Sequence, residues 1–270
     1  MIELYHNALS TCSQKVRLVL DQKGVTYVSH EVDLIGGGQH DPEYVKLNPK
    51  HVVPTLVHDG RVLLESSLII QYLDEAFPHP PMRPSDAMGR YATARWILRA
   101  DTAIHPAAPV VTFAGGPRNI LLSQPEEVRE ANIAAIPDPR AREIRRSVIE
   151  HGVHAPEYAG ALRVFLAALD DMEIELNEKS WLSGADFGLA DATLLPYVLR
   201  LEHLGMDPVI SEAERPRVAD WLSRVKALPC YATAVEAWAP AAIVEMMRGQ
   251  GKELWTDIEP LTRRESDAGA

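Results

Sequence analysis

Cysteine is scarce in this chain, with only Cys12 and Cys230 among 270 residues. Two thiols so far apart in sequence make neither a disulfide framework nor the short spacing of a metal-thiolate site, so both read as reduced thiols. Long apolar runs are missing as well. No segment approaches the roughly 20 residues that a bilayer span requires, and the opening "MIELYHNAL" lacks the basic start and apolar core of a secretory signal. The expectation is a soluble protein of the cytoplasm. Positive charge is in deficit too: 27 Lys and Arg stand against 38 Asp and Glu, a formal net charge of −11. No Lys/Arg stripe interleaved with aromatics is present, so the electrostatic attraction that drives phosphate-backbone binding is missing and nucleic acid is excluded as a partner. Aromatics make up only 6%, but hydrophobic residues reach 46%, enough for a sizeable core in two domains of ordinary size.

The first eighty residues alternate in period. "IELYH" reads as a strand, and Val16, Leu18, Val19 and Leu20 give the next segment a helical apolar face that stops at Lys23-Gly24. "VTYVSHEVDL" is strand-like, and "GGGQHDPEYVKLNP" is a Gly-rich loop running into a short helix. "TLVHDGRVLLE" is a hairpin turning at Asp59-Gly60, and "SSLIIQYLDEAFP" is a helix halted by Pro78. One βαβ unit followed by a hairpin predicts a small mixed sheet flanked by helices. The Pro-rich "PHPPMRPSDAMG" is the best linker. Beyond it the pattern is helical: "YATARWILRADTAIH", two exposed helices broken at Pro137-Asp138-Pro139, a stripe from Leu162 through Leu166 and Leu169 to Leu176, and another through Val218, Trp221, Leu222 and Val225. The division expected is 1–80, a linker at 81–88, an all-helical domain at 89–245 and a C-terminal tail at 246–270, with "RRESDAGA" as a frayed end.

One stretch carries more chemistry than its length suggests. "NALSTCSQKVRLVLDQKG" sets Ser10, Thr11, Cys12 and Ser13 at the start of a helix directly after a strand. Hydroxyl residues there can simply be caps. A helix N-terminus also favours negative charge, so a thiolate held at that point, from the protein or from a ligand, becomes more acidic and more reactive.

Three stretches taken together, "STCSQKVRLVLDQKG", "LNPKHVVPTLVHDG" and "LLESSLIIQYLDE", resemble the thioredoxin-like domain of glutathione transferases over nearly its whole length, and the helical remainder resembles their second domain. The resemblance implies an α/β thioredoxin-like N-terminal domain with a mixed four-stranded sheet, an all-α C-terminal domain, glutathione as co-substrate, no metal, and a homodimer. Ser10-Thr11-Cys12 is similar to the Ser-Ser-Cys motif of zeta-class maleylacetoacetate isomerases and to the matching motif of tetrachlorohydroquinone dehalogenases. By that match Ser10 donates to the glutathione thiolate, Thr11 lies against the tripeptide, and Cys12 is available for a mixed disulfide; the alternative for Cys12 is a small buried thiol.

The resemblance makes Pro54 a cis-proline and gives Val53 the cysteinyl backbone of glutathione, where a plain Val-Pro turn is the alternative. It gives Glu65 and Ser66 the γ-glutamyl group, at a helix start that would otherwise be an ordinary cap. By the same resemblance His51 stands where relatives have a cation or amide near the glycine carboxylate, and Gln39 and His40 are similar to the glutathione-binding Gln pair of the zeta class. "IPDPRARE" and "AIHPA" are similar to bacterial lignin β-etherases and to ganglioside-induced differentiation-associated proteins, and Trp96, Arg99 and His105 are the candidates for a substrate pocket, each of which also reads as an ordinary structural residue. In "GADFGLADATLLP" the usual Ser or Thr helix cap is replaced by Gly188 while Asp191 is kept, so the reciprocal cap loses its side-chain half. "HGVH" at His151 and His154 has no third ligand nearby and reads as a loop.

The activity implied is attack of the glutathione thiolate on a small, apolar, aromatic electrophile, displacing an aryl ether or halide or opening an epoxide. Alternatives are zeta-like isomerisation by reversible thiol addition, thiol transfer centred on Cys12, and a glutathione-binding protein without turnover.

Overall fold

The computed structural model describes residues 1–263; most of "RRESDAGA" lies outside the described residues. Four strands, β1 (Ile2–His6), β2 (Val28–Glu31), β3 (Thr55–His58) and β4 (Arg61–Leu63), form one sheet in the order β2-β1-β3-β4. β1 and β2 are parallel, joined through helix α1 (Thr11–Gln22), and β3 and β4 are the antiparallel hairpin turning at Asp59-Gly60. Helices α2 (Pro42–Leu47) and α3 (Ser66–Ala76) complete the thioredoxin-like part. Among the described residues no further strand follows. The rest is α4 (Ala87–Arg99), a π-helical segment at Ala100–Ile104, α5 (His105–Gly115), α6 (Arg118–Ser123), α7 (Glu126–Ala134), α8 (Pro139–His151), α9 (Tyr158–Leu176) and α10 (Leu189–His203), then α11 (Pro216–Lys226), α12 (Pro229–Ala234), α13 (Ala241–Glu253) and α14 (Trp255–Thr262). The mixed sheet plus all-helical remainder is the architecture expected, and helix continues to Thr262, well into the stretch read as a tail.

By its contacts the chain divides into two compact units. One comprises Met1–Ala100 with Glu178–Pro196 and Trp221–Pro240; the other comprises Asp101–Asn177, Tyr197–Asp220 and the segment from Ala241 on.

In the first unit α1 is buried along most of its length. Val16, Leu18, Val19 and Leu20 are fully enclosed as their spacing predicts, but so are Lys15 and Arg17. The α1 C-terminus is tied to the Pro-rich segment: Lys23 Nζ donates to Asp74 Oδ1 at 2.5 Å and to the Pro80 carbonyl at 2.7 Å. Arg83 Nε and the Met82 N–H also donate to Asp74, at 2.7 and 2.9 Å. Burial would raise the Asp74 carboxyl, but these donors outweigh it and hold the group below its ordinary range. The Pro-rich segment is therefore pinned by one buried carboxylate.

The missing half of the α10 cap is supplied from elsewhere in the first unit. Asp191 accepts from the N–H groups of Gly188, Leu182 and Ser183 and from Trp221 Nε1, at 2.8–3.1 Å. The donor that a Ser or Thr at 188 would have satisfied, the Ala190 N–H, instead reaches Ser183 Oγ at 3.0 Å. A side chain at 188 has no room: its Cβ would lie 2.4 Å from the Met82 carbonyl oxygen and 2.7 Å from Ser183 Oγ. Gly188→Ala should therefore destabilise the fold by about 1–3 kcal/mol, the usual cost of overpacking. Urea unfolding monitored by tryptophan emission measures it, and an unchanged midpoint would refute this account of the cap.

Candidate functional site

The sheet register gathers the sequence-predicted residues at one end. Tyr5 pairs with Thr55 and His6 with Glu31, so the C-terminal ends of β1 and β2 and the start of β3 share an edge of the sheet. Leu63, at the end of β4, pairs with Leu56 and returns to the same edge. The segments leaving there carry Ser10, Thr11 and Cys12, then Gln39 and His40, then His51, Val53 and Pro54, then Glu65 and Ser66. All ten belong to the first unit.

Ser10 is the N-cap of α1, and its Oγ accepts from the Ser13 N–H at 3.3 Å. A hydroxyl that accepts through one lone pair keeps its proton to donate, so the cap and a thiolate donor are compatible in one atom. Ser13 is not a second donor of this kind. It is fully buried, and its Oγ accepts from the Asn7 N–H at 3.2 Å. Cys12 is buried at 9% exposure two residues into the helix, and neither cysteine is in a disulfide.

The Val53–Pro54 peptide is cis, as the resemblance implies. Tyr44 Oη donates to the Val52 carbonyl at 2.6 Å, and Asn48 Nδ2 donates to it at 2.9 Å. Val52 is thereby fixed, whereas among the described residues the N–H and C=O of the buried Val53 take no partner. Backbone groups in buried surroundings are normally paired, so a ligand strand is a natural partner for these two.

Glu65 precedes α3 with φ +67°, and His51 has φ +56°. Side-chain-bearing residues hold this left-handed conformation at a cost of order 1–3 kcal/mol, and such residues cluster at ligand sites. Lys50, the residue before His51, forms an ion pair with Glu65. Ser66, buried at the first turn of α3, leaves its N–H without a backbone partner. Gln39 Nε2 lies 3.0 Å from His40 Nε2, and the Nδ1 atoms of His40 and His51 are 2.9 Å apart.

Trp96 is buried in α4, with the Arg99 guanidinium 5.4 Å from its ring centre. His105 is exposed at the start of α5 in the second unit, its ring 6.4 Å from that of Tyr197. His151 ends α8, and Gly152–His154 is a short 3-10 turn.

Arg17 is the residue that sequence reading missed. Fully buried, it donates to the carbonyls of Asn7 at 3.0 Å, Ala8 at 2.8 Å and Ala234 at 2.6 Å, and lies 2.9 Å from His6 Nδ1. It therefore fixes the loop that presents Ser10. The two cations set among the apolar positions of α1, in "QKVR", were the available signal that something there must hold them.

Comparison with known proteins agrees with this fold. The profile of the glutathione S-transferase N-terminal domain matches residues 4–81, and that of the C-terminal domain matches 155–224. The tetrachloro-p-hydroquinone reductive dehalogenase of Sphingobium chlorophenolicum is 31% identical over 245 residues, spanning 86% of this chain and 95% of that protein. The chain belongs to the glutathione S-transferase family. The maleylacetoacetate isomerase of Pseudomonas aeruginosa is 30% identical over 208 residues, 76% of this chain and 84% of its own. Among solved structures, the β-etherase LigF of Sphingobium sp. strain SYK-6 superposes with a TM-score of 0.80 at 25% identity, covering 87% of this chain and 99% of its own. The chain is accordingly an enzyme of the glutathione transferase type with glutathione as co-substrate. Among the described residues no helix is long and apolar enough to cross a membrane.

The environment of Arg17 makes a pH prediction. With Arg17 donating to Nδ1, His6 carries its proton on Nε2 and donates to Ser29 Oγ at 2.8 Å, so the neutral ring is fully satisfied. Burial, reinforced by the Arg17 charge, pushes the imidazole down from 6.5 to about 4. A histidine lowered in the folded state contributes its stability above 6.5, and that contribution is lost as the pH falls towards 4, by up to about 3 kcal/mol. Urea unfolding between pH 7 and 4 should show this loss, and His6→Asn should flatten it; an equally steep acid limb in the variant would refute the assignment.

Proposed function

We propose that this enzyme binds glutathione along the sheet end just described and uses its thiolate to attack a small, apolar, aromatic electrophile, displacing an aryl ether or halide or opening an epoxide. The observation that carries the reading is the pairing of an unsatisfied Val53 backbone with a Ser10 hydroxyl still able to donate. The cysteinyl part of the tripeptide lies on Val53 as an added strand, and its sulfur meets Ser10 at the α1 N-terminus. Thr11 and Ser66 flank it, Glu65 takes the γ-glutamyl ammonium, and Gln39, His40 and His51 take the glycine carboxylate. The thiol proton leaves to solvent, the thiolate forms a carbon–sulfur bond, and the aryloxide or halide departs with the electrons of the broken bond. The likeness to a dehalogenase and a β-etherase supports displacement on an aromatic substrate. Trp96, Arg99 and His105 are the substrate-side candidates. A second reading, reversible thiol addition for cis–trans isomerisation, is favoured by the Ser10-Thr11-Cys12 motif and the likeness to a maleylacetoacetate isomerase.

The roles of Ser10 and Cys12 separate by experiment. Ser10→Ala removes a hydrogen bond to a charged sulfur, worth about 1.5–3 kcal/mol, and should slow turnover about ten- to a hundredfold while raising the pKa of bound glutathione. Cys12→Ala should spare displacement and stop only a reductive step, in which the Cys12 thiolate attacks a glutathionyl sulfur and expels the reduced product. The ultraviolet thiolate band against pH, with turnover of an aryl ether, an aryl halide and a halohydroquinone, reads both. Loss of all activity in Cys12→Ala with none in Ser10→Ala would reverse the assignment in favour of thiol transfer, and saturable glutathione binding without turnover would favour a binding protein.

We also propose a homodimer working in the cytoplasm. Met88, Tyr91 and Leu98, 62–73% exposed, fall on one face of α4 at spacings of three and seven, and Leu68 on α3 is 63% exposed. A second copy is the occupant that the family's two-fold habit favours. Sedimentation should give a dimer at micromolar concentration and a monomer for Tyr91→Lys with Met88→Glu; a monomeric parent would overturn it.

A further inference from the structure

Gln39, His40 and His51 form a hydrogen-bonded chain whose proton positions follow from chemistry. An amide nitrogen only donates, so Gln39 Nε2 donates to His40 Nε2, 3.0 Å away, and that ring nitrogen carries no proton. Neutral His40 must then hold its proton on Nδ1 and donate it to His51 Nδ1, 2.9 Å away. His51 is left with its proton on Nε2, an atom that takes no partner among the described residues. Gln39 Oε1, meanwhile, is buried and accepts from nothing. The chain is thus poised in one of two directions.

We propose that Gln39 and His40 are positioning residues that aim the His51 Nε2–H at an anionic ligand and couple occupancy of that position to uptake of one proton, by rotation of the Gln39 amide. The inference rests on the glutathione reading, with the glycine carboxylate as the anion. In the reversed state a proton from water sits on His40 Nε2 and is donated to Gln39 Oε1, which gains the donor it lacked. The proton shared by the two Nδ1 atoms passes to His51. The net positive charge then lies on the ring that faces the ligand, and a neutral contact becomes a charge-assisted one.

Ionisable groups on the flanking segments already have partners, Asp33 accepting from the Ile35 and Gly36 N–H groups. Asp41 accepts from the Glu43 N–H, Glu43 pairs with Lys46 on α2, and Lys50 pairs with Glu65. Without ligand, burial and then the neighbouring His51 hold the His40 imidazole below its ordinary value, so the chain rests in its neutral direction at pH 7. A carboxylate on His51 opposes both effects, and binding draws in the proton.

S-methylglutathione, which lacks the titrating thiol, is the probe. Its affinity for the full-length enzyme should rise about five- to tenfold as the pH falls from 7.5 to 5.5, the gain of a charge-assisted over a neutral bond. Calorimetry in buffers of different ionisation enthalpy should show proton uptake. Gln39→Glu can only accept, so it should favour the reversed direction and move the midpoint of this dependence upward by about one unit or more, even if affinity falls. His51→Asn keeps a donor but should abolish the dependence. Nitrogen-15 shifts of labelled histidine should find the free-enzyme proton on Nδ1 of His40 and on Nε2 of His51 at pH 8. Binding that is flat across the pH range, an unmoved midpoint in Gln39→Glu, or the opposite tautomers would overturn the relay while leaving the glutathione reading intact. No binding at any pH would overturn both.

Discussion

The site depends on a buried guanidinium. Arg17 holds two successive carbonyls of the loop between β1 and α1 and, through its Nε, the carbonyl of Ala234 at the end of α12. It also lies 5.3 Å from the Trp238 ring centre. Burial lowers the group to about 10, which still leaves it charged at any physiological pH. A buried cation is costly unless its donors are met. Here carbonyl oxygens, the His6 nitrogen and an aromatic face meet them, and the orientation of the Asn7–Leu9 loop follows from their positions. Lysine could not make the same contacts, because its single ammonium lacks the planar fork that reaches several acceptors at once.

With that loop fixed, the sheet register does the rest. Parallel pairing of β1 with β2 and antiparallel pairing of β1, β3 and β4 send four chain segments out over one edge. Convergence of this kind brings residues as distant in sequence as Ser10 and Ser66 out at one edge of the sheet. It also explains where strain accumulates. His51 and Glu65 leave the edge with positive φ, in positions where a glycine would be free of cost, and Lys50, next to His51, pairs with Glu65. Keeping a side chain there makes sense when that side chain has a polar task.

Much of this was legible in the sequence. The strand and helix periods of the first eighty residues, the Asp59-Gly60 turn, the break at Pro137-Asp138-Pro139 and the α9 stripe all reflect local rules that tertiary context did not override. Buried cations escaped, because the apolar spacing of Val16, Leu18, Val19 and Leu20 marks only those residues for enclosure, while the structure encloses Lys15 and Arg17 between them as well. The Gly188 departure was visible but not its reason: Ser183 lies only five residues upstream, yet no spacing rule predicts that its hydroxyl would stand in for the missing cap. Likewise Gln39, His40 and His51 were legible as candidates, but the order of donors among them is a property of ring orientation, which sequence does not encode.

Why serine rather than cysteine heads the helix follows from the same accounting. At the N-cap the side chain must accept from an unpaired helical N–H, and oxygen does this well while retaining a donor proton; sulfur does both weakly. One position into the helix, where Thr11 stands, and two, where Cys12 stands, the side chain is no longer required to cap. Burial of Cys12 keeps it out of contact with bulk oxidants, yet the partial positive charge of the helix start remains close by. The order Ser10 then Cys12 thus sets a hydroxyl that caps and can still donate at the helix tip, and a thiol in the more sheltered position behind it.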